Sequence, residues 1–307
     1  MDSISLKALA KINLGLDVTG VRDNGYHDVR MIMQTIHLYD RIDIKRVRSP
    51  HIRVENSLFF IPVREEDNLA YKAAQLMKET YQIKEGVRIG IQKYIPMAAG
   101  LGGGSADAAA VMVGMNKIFK LGVPQEELMQ LGTKIGADVP FCIMRGTALA
   151  EGIGEILTPL PQMPKCPVLI ARPDVSVSTK EVYDGLKLYP GIKHPNIDGI
   201  IDGIKAKDLD QIAMEMGNIL ETVTAVKYPV INEIKRIMKE NGAINAMMSG
   251  SGPSVFGLFR SEADVNQAYD ALKQADFPKH LYTSEIQNSQ NNGSNNNGNG
   301  SRKGKEK

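Results

Sequence analysis

"PMAAGLGGGSADAAA", Pro96–Ala110, sets four glycines within five residues between a stretch that alternates like a strand and an alanine-rich stretch that reads as a helix. Gly100, Gly102, Gly103 and Gly104 clear the side chains from one surface, and Ser105 with the first helical turn adds backbone N–H groups and the positive end of a dipole. An anion, phosphate first, is the natural guest. The familiar phosphate loop also carries a lysine just before Ser or Thr, and this one does not. The missing positive charge must come from elsewhere in the chain or be unnecessary. A tight strand-to-helix turn is the bland alternative, but four glycines in five residues exceed what a turn needs.

Other phosphate-binding folds fail on their own signatures. A dinucleotide fingerprint requires glycine where Ser105 stands, with an acidic residue closing the next strand about twenty residues on. A eukaryotic-type protein kinase requires H-R-D and D-F-G, and neither occurs.

Outward from the loop, strands and helices alternate. "KINLGLDV" sets Ile12, Leu14, Leu16 and Val18 against Lys11, Asn13, Gly15 and Asp17, one amphipathic strand of period two. "RDNGYH" supplies an Asn24–Gly25 turn, so a hairpin returns through "VRMIMQTIHL" and "YDRIDIKRV". "DNLAYKAAQLMKETY" places Leu69, Ala73, Leu76 and Met77 at helical spacing, with Asp67 or Asn68 as N-cap. "VRIGIQKYI" is the strand into the loop, and Asp107–Leu121 is the helix after it, ending at Gly122. "EELMQLGTKIG" is another helix, and "ADVPFCIMRGTALAEGIGEILTPL" reads as short strands around Gly152–Gly154. Beyond the proline-rich "PLPQMPKCP" come a buried strand, "VLIARP", two or three helices, two strands joined by a second glycine loop in "INAMMSGSGPSVFGLF", and a last helix in "EADVNQAYDALKQA". The expected domains are 1–160 and 161–287, followed by an Asn/Gly-rich segment, 288–307, with nothing to bury and the composition of a disordered tail.

At 307 residues and 43% hydrophobic, the chain suffices for two ordinary cores. Its net charge is +2, yet Arg302–Lys307 alone carries +3, leaving −1 for the rest, which argues against a nucleic-acid partner. Cys142 and Cys166 stand far apart without C-x-x-C spacing, against a zinc site or disulfide framework and for a reducing, cytoplasmic compartment. No secretory leader or membrane-length apolar run is present.

The motifs "AKINLGLDVTGVRDNGYH", "EDNLAYKAA", "KYIPMAAGLGGGSADAA", "IGADVPFC", "AEGIGEIL" and "SGSGPSVF" together resemble the GHMP kinases, over about Leu6 to Ile286. The resemblance implies an α+β, two-domain fold: an N-terminal domain like domain 2 of ribosomal protein S5 and a C-terminal ferredoxin-like α/β sandwich. It implies ATP as phosphoryl donor, with Mg²⁺ expected beside it and its ligands unassigned. Nucleotide contacts carry over to Pro96, Met97, Ala98, Ala99, Gly100, Leu101, Gly102, Gly103, Gly104, Ser105 and Ala106, together with Asn68 and Lys93.

The family flanks the phosphorylated hydroxyl with a strand lysine and a loop aspartate, which match Lys11 in "AKIN" and Asp138 in "GADVP". Lys11 and Asn13 share one face of their strand, since side chains at i and i+2 point the same way, and can converge on one ligand. Asp138 would then accept the acceptor's proton while Lys11 steadies developing charge. Without the resemblance, Asp138 before Val-Pro reads as a turn or cap residue and Lys11 as an exposed strand lysine. The motifs are nearest a branch that phosphorylates a tertiary hydroxyl of a cytidylated sugar alcohol for isoprenoid synthesis. In it two aromatic rings sandwich the cytosine and a neighbouring residue reads its edge; Tyr26, Tyr183 and His27 match, with Asn13 and Thr179 also on the acceptor side. The second ring is a phenylalanine in that pattern and a tyrosine here, which adds a hydroxyl in need of a partner. Expected partners are therefore small molecules only, without nucleic acid or membrane, and the protein a monomer or weak homodimer. The rivals are a sibling kinase acting on homoserine or phosphomevalonate, and a catalytically silent nucleotide sensor, against which the retention of Lys11 and Asp138 argues.

Overall fold

The computed structural model describes residues 2–56, 65–277 and 279–288; the tail expected to be disordered lies outside the described residues from 289 onward. Six strands open the chain: β1 (Ser3–Val21), β2 (His27–Val47), β3 (Ile52–Asn56), β4 (Gly86–Gln92), β5 (Thr147–Glu151) and β6 (Ile156–Pro159). They share one sheet in the order β3-β4-β2-β1, with β5 on β2 and β6 on β5. β1 and β2 form the expected hairpin, closed where Gly25 holds φ +82° and the Arg22 N–H donates to the Tyr26 carbonyl at 2.7 Å.

Five strands follow: β7 (Pro167–Pro173), β8 (Gly217–Asn218), β9 (Asn245–Met248), β10 (Val255–Leu258) and β11 (Lys279–Glu285). Four of them make a second, wholly antiparallel sheet in the order β11-β7-β10-β9, the ferredoxin-like arrangement the resemblance implied. β8 instead crosses to the first sheet and pairs in parallel with Gly15 and Leu16 of β1. The fold is α+β as expected.

Ten helices cover these sheets among the described residues: α1 (Leu69–Thr80), α2 (Gly103–Ile118), α3 (Gln125–Gly132), α4 (Val139–Met144), α5 (Thr179–Gly185), α6 (Ile197–Ala206), α7 (Leu209–Glu215), α8 (Glu221–Lys227), α9 (Val230–Glu240) and α10 (Glu262–Gln274). Asn68 caps α1 by accepting from the Ala70 N–H at 2.9 Å.

Three expectations need correction. The helix expected from Asp107 begins at Gly103, inside the glycine run, because Gly102 takes the left-handed conformation at the N-cap and turns the chain at once. Val139–Met144 is a helix rather than a strand; a short, uniformly apolar run carries no period to separate the two. Between β7 and β9 lie five helices, not two or three, since segments as short as seven residues give little periodic signal. β11 was also invisible in the sequence, where "KHLYTSE" lacks clean alternation.

The apolar face of β1 is buried as read. Ile12 and Leu14 enter a core with Ala108, Val111 and Met112 of α2, while Leu16 and Val18 join a second cluster with Val29 and Met33. The opposite face is not solvated: Lys11 is 5% exposed and Asn13 fully buried. Polar side chains on a buried face demand partners, and theirs lie in a cleft.

Candidate active site

A cleft of about 1350 Å³ gathers the expected residues from the first sheet, the glycine loops and helix α5. Lys11, Asn13, Tyr26, His27, Asn68, Lys93, Thr179, Tyr183, Asp138 and every loop residue from Pro96 to Ser105 line it. Ala106 does not; it is buried behind the loop, its N–H donating to the Gly102 carbonyl at 2.9 Å. Asn68 lines the cleft although its side-chain oxygen is engaged by the α1 cap.

At the centre, Lys11 Nζ donates to Asn13 Oδ1 at 2.8 Å and stands 3.4 Å from Asp138 Oδ2. Asn13 donates in turn to Met31 Sδ at 3.2 Å. Asp138 occupies the N-cap position of α4 but makes no capping hydrogen bond, so its carboxylate is free to face Lys11. The side chain of Asp138 is 28% exposed against 6% for Lys11, which leaves the carboxylate accessible from the cleft. The reading of Asp138 as a mere cap residue therefore accounts for its backbone and not for its side chain.

The first glycine loop lies directly on this pair. Gly102 has φ +69°, and a Cβ there would meet Lys11 Cγ at 3.0 Å and Asp138 Oδ2 at 3.6 Å. The Lys11 N–H also donates to the Leu101 carbonyl at 3.0 Å. On the other side, a Cβ on Gly103 would meet Lys93 Nζ at 3.5 Å. Two buried ammonium groups thus flank the loop, Lys11 on one side and Lys93 on the other.

Lys93 is not a simple counter-charge. It bridges Asp40 and, at 2.8 Å, Asp107 Oδ2, while Asp40 Oδ1 also accepts from the Ile95 N–H at 2.8 Å. Two carboxylates thus share one buried ammonium. Burial pushes the Asp107 carboxyl up to about 7; Lys93 pulls it down and Asp40 pushes it further up. Asp107 Oδ1 is buried without a hydrogen-bond partner. Sequence reasoning missed Asp40 and also Asp107, which lies within the glycine-loop motif but was given no role there.

The second glycine loop, Ser249–Ser254, braces the first. Ser249 Oγ donates to the Gly100 carbonyl at 2.9 Å, and a Cβ on Gly100 would fall 2.0 Å from the Ser249 carbonyl oxygen. Thr179 at the start of α5 shares a hydrogen bond of 2.9 Å with Ser251 Oγ, tying α5 to this brace.

At the far end, His27 and Tyr183 are in ring contact, centroids 5.1 Å apart and planes at 54°, with Tyr26 58% exposed at the cleft wall. Burial pushes the Tyr183 hydroxyl up to about 12, with the Asp138 carboxylate adding to the effect. "EGIGE" is the turn between β5 and β6, and its Ile153 lines the cleft. No three His, Cys, Asp or Glu side chains converge as a metal site, and no helix is long and apolar enough to cross a membrane, among the described residues.

Comparison with known proteins identifies the family. The pattern of the GHMP kinases N terminal domain matches residues 68–146, and that of the GHMP kinases C terminal matches residues 200–279. The 4-diphosphocytidyl-2-C-methyl-D-erythritol kinase of Lachnospira eligens is 56% identical over 285 residues, 93% of this chain and 99% of its own length. The protein of the same name from Lachnoclostridium phytofermentans is 52% identical over 95% of this chain and 100% of its own. Among solved structures, 4-(cytidine 5'-diphospho)-2C-methyl-D-erythritol kinase superposes with a TM-score of 0.80 at 30% identity, covering 93% of this chain and 100% of that one. Homoserine kinase from Cytophaga hutchinsonii superposes with a TM-score of 0.78 at 21% identity, covering 93% and 95%, which bears on the fold alone.

Proposed function

The chain belongs to the GHMP kinases, in the branch of the 4-diphosphocytidyl-2-C-methyl-D-erythritol kinases, and on that premise we propose that it transfers the γ-phosphoryl group of ATP to the C2 hydroxyl of 4-diphosphocytidyl-2-C-methyl-D-erythritol. The products are ADP and the 2-phosphate, an intermediate of the non-mevalonate route to isoprenoid precursors. The observation that carries the proposal is the Lys11–Asp138 pair, 3.4 Å apart and packed against Gly102 of the glycine loop. A phosphate held by that loop would lie beside both groups.

In the reaction, the N–H groups of the loop and of the first turn of α2 bind the β- and γ-phosphates. The acceptor oxygen bonds to the γ-phosphorus while the bond from that phosphorus to the β–γ bridging oxygen breaks, and ADP leaves with the electron pair. Asp138 Oδ2 takes the acceptor's hydroxyl proton, and Lys11 offsets the charge on the transferred group. Asn13 holds Lys11 in register through the 2.8 Å hydrogen bond. Tyr26, His27 and Tyr183 grip the cytosine, each stacked ring contributing about 1–3 kcal/mol.

We assign nucleotide binding and catalysis to residues 1–160, and the acceptor side to Asn13, Tyr26 and His27 of that half together with Thr179 and Tyr183 of 161–287. Magnesium is expected to accompany ATP, where it would neutralise the charge of the β- and γ-phosphates, and Ser105 at the start of α2 could offer it a hydroxyl. Cys142 and Cys166, both free and buried, fit a reducing compartment. The test is ADP release from ATP and magnesium with a panel of acceptors. Turnover with the cytidylated erythritol and not with homoserine or mevalonate derivatives supports the proposal; efficient phosphorylation of homoserine overturns it.

A further inference from the structure

We infer that Asn218 is a positioning residue for the nucleotide, acting on the phosphate loop through the second glycine loop. The inference rests on the reading that Pro96–Ser105 holds phosphate. Asn218 lies in the two-residue strand β8, 7% exposed, far from any motif. Its amide uses every hydrogen-bonding atom it has. Nδ2 donates to the carbonyls of Met248 at 2.9 Å and Gly250 at 2.8 Å, and Oδ1 accepts from the Leu220 N–H at 3.0 Å. Two donors and an acceptor on one short planar group are what only asparagine supplies at this length: aspartate has no donor and glutamine reaches too far.

The two carbonyls it holds flank Ser249, the residue that donates to the Gly100 carbonyl at 2.9 Å. Beside that side-chain bond, the two loops also meet backbone against backbone. A Cβ on Gly250 would meet the Gly100 carbonyl oxygen at 3.3 Å and Asn13 Oδ1 at 3.5 Å, and Gly250 itself holds φ +57°. Displacement of Met248 and Gly250 therefore passes to Gly100 by two routes, the Ser249 hydroxyl between them and the close backbone contact at Gly250. β8 also pairs with Gly15 and Leu16 of β1, the strand that carries Lys11 and Asn13. Asn218 thereby fixes the second glycine loop to the strand of the catalytic lysine, and the phosphate loop to both. Thr224 Oγ1, donating to the Ser251 carbonyl at 3.2 Å, anchors the other half of the same loop.

The test measures the Kd of ADP, together with kcat and KM for each substrate and the thermal midpoint, on the full-length Asn218→Ala, Ser249→Ala and double variants. Each single variant is expected to raise the ADP Kd about tenfold, the effect of one effective hydrogen bond, while the KM for the cytidylated acceptor stays within about twofold. The double variant is expected to be no weaker than the worse single, because both changes break one chain of contacts. A merely structural asparagine lowers the thermal midpoint and leaves the ADP Kd of the folded enzyme unchanged, which overturns the inference, as do additive losses in the double variant. Should Asn218→Ala fail to fold, Ser249→Ala decides alone: unchanged ADP affinity there contradicts the route. Gly102→Ala separates the two readings. If it loses ADP affinity while the others keep theirs, only the inference about Asn218 falls; if it too binds normally, the phosphate-loop reading has failed.

Discussion

Gly100→Ala puts one methyl group where the two glycine loops touch. The new Cβ would lie 2.0 Å from the Ser249 carbonyl oxygen, 3.0 Å from the Ser249 carbonyl carbon and 3.3 Å from the Gly252 nitrogen, all backbone atoms that cannot rotate away. Restoring an ordinary contact of about 3.4 Å requires the loops to part by about 1.4 Å. A misplacement of about 1 Å in a group that orients reactants costs on the order of a hundredfold in rate, so Gly100→Ala should lower kcat/KM for ATP by about that factor. The substitution also strains the backbone, since φ is +74°, at a cost of about 1 kcal/mol. Gly122→Ala separates the two effects: φ is +69° there, and no atom lies within 4 Å of the added Cβ. It should lower the thermal midpoint by about 2 °C or less and leave the kinetics unchanged. The assay is coupled ADP release for both variants with the midpoint measured alongside. A folded Gly100→Ala enzyme within about threefold of the parent would refute the argument that loop-on-loop packing sets the phosphate site.

Tyr26→Ala should raise the KM for the cytidylated acceptor about tenfold or more with little change for ATP, and CMP should compete with the acceptor; absence of competition at millimolar CMP would remove the cytosine pocket. Asp107 ionises near 4 in the unfolded chain and near 7 in the fold, so the stability it contributes is present at low pH and is lost as pH rises through that window. Asp107→Asn stays neutral, and its thermal midpoint relative to the parent should therefore improve between pH 5 and pH 8; a difference independent of pH would show that Asp107 does not carry its proton into the neutral range.

Much of the site was legible in the sequence because its chemistry is local. Four glycines before a helix define a phosphate cradle, and Lys11 with Asn13 follows from the pleat of one strand. Asp138 was not legible from the residues themselves. It occupies an N-cap position, as a turn or cap residue would, and the role proposed for it rests on β1 bringing Lys11 to 3.4 Å. Asp40 and Asp107 meet across Lys93 from a strand and a helix far apart in sequence, a pairing with no periodic trace. Asn218 sits in a strand too short to register as one. The helix α4 was read as a strand because six apolar residues fit either period, and tertiary packing on α2 decides between them.

Asp138→Asn tests the proposed mechanism most directly. The change keeps the size of the side chain and removes the carboxylate that faces Lys11 at 3.4 Å. Turnover with ATP and the cytidylated acceptor should fall about a hundredfold or more while the ADP Kd changes little, since a positioned base acts on the proton leaving the acceptor and not on nucleotide binding. Near-normal turnover in the folded variant would contradict the mechanism and return Asp138 to the role of a helix-start residue.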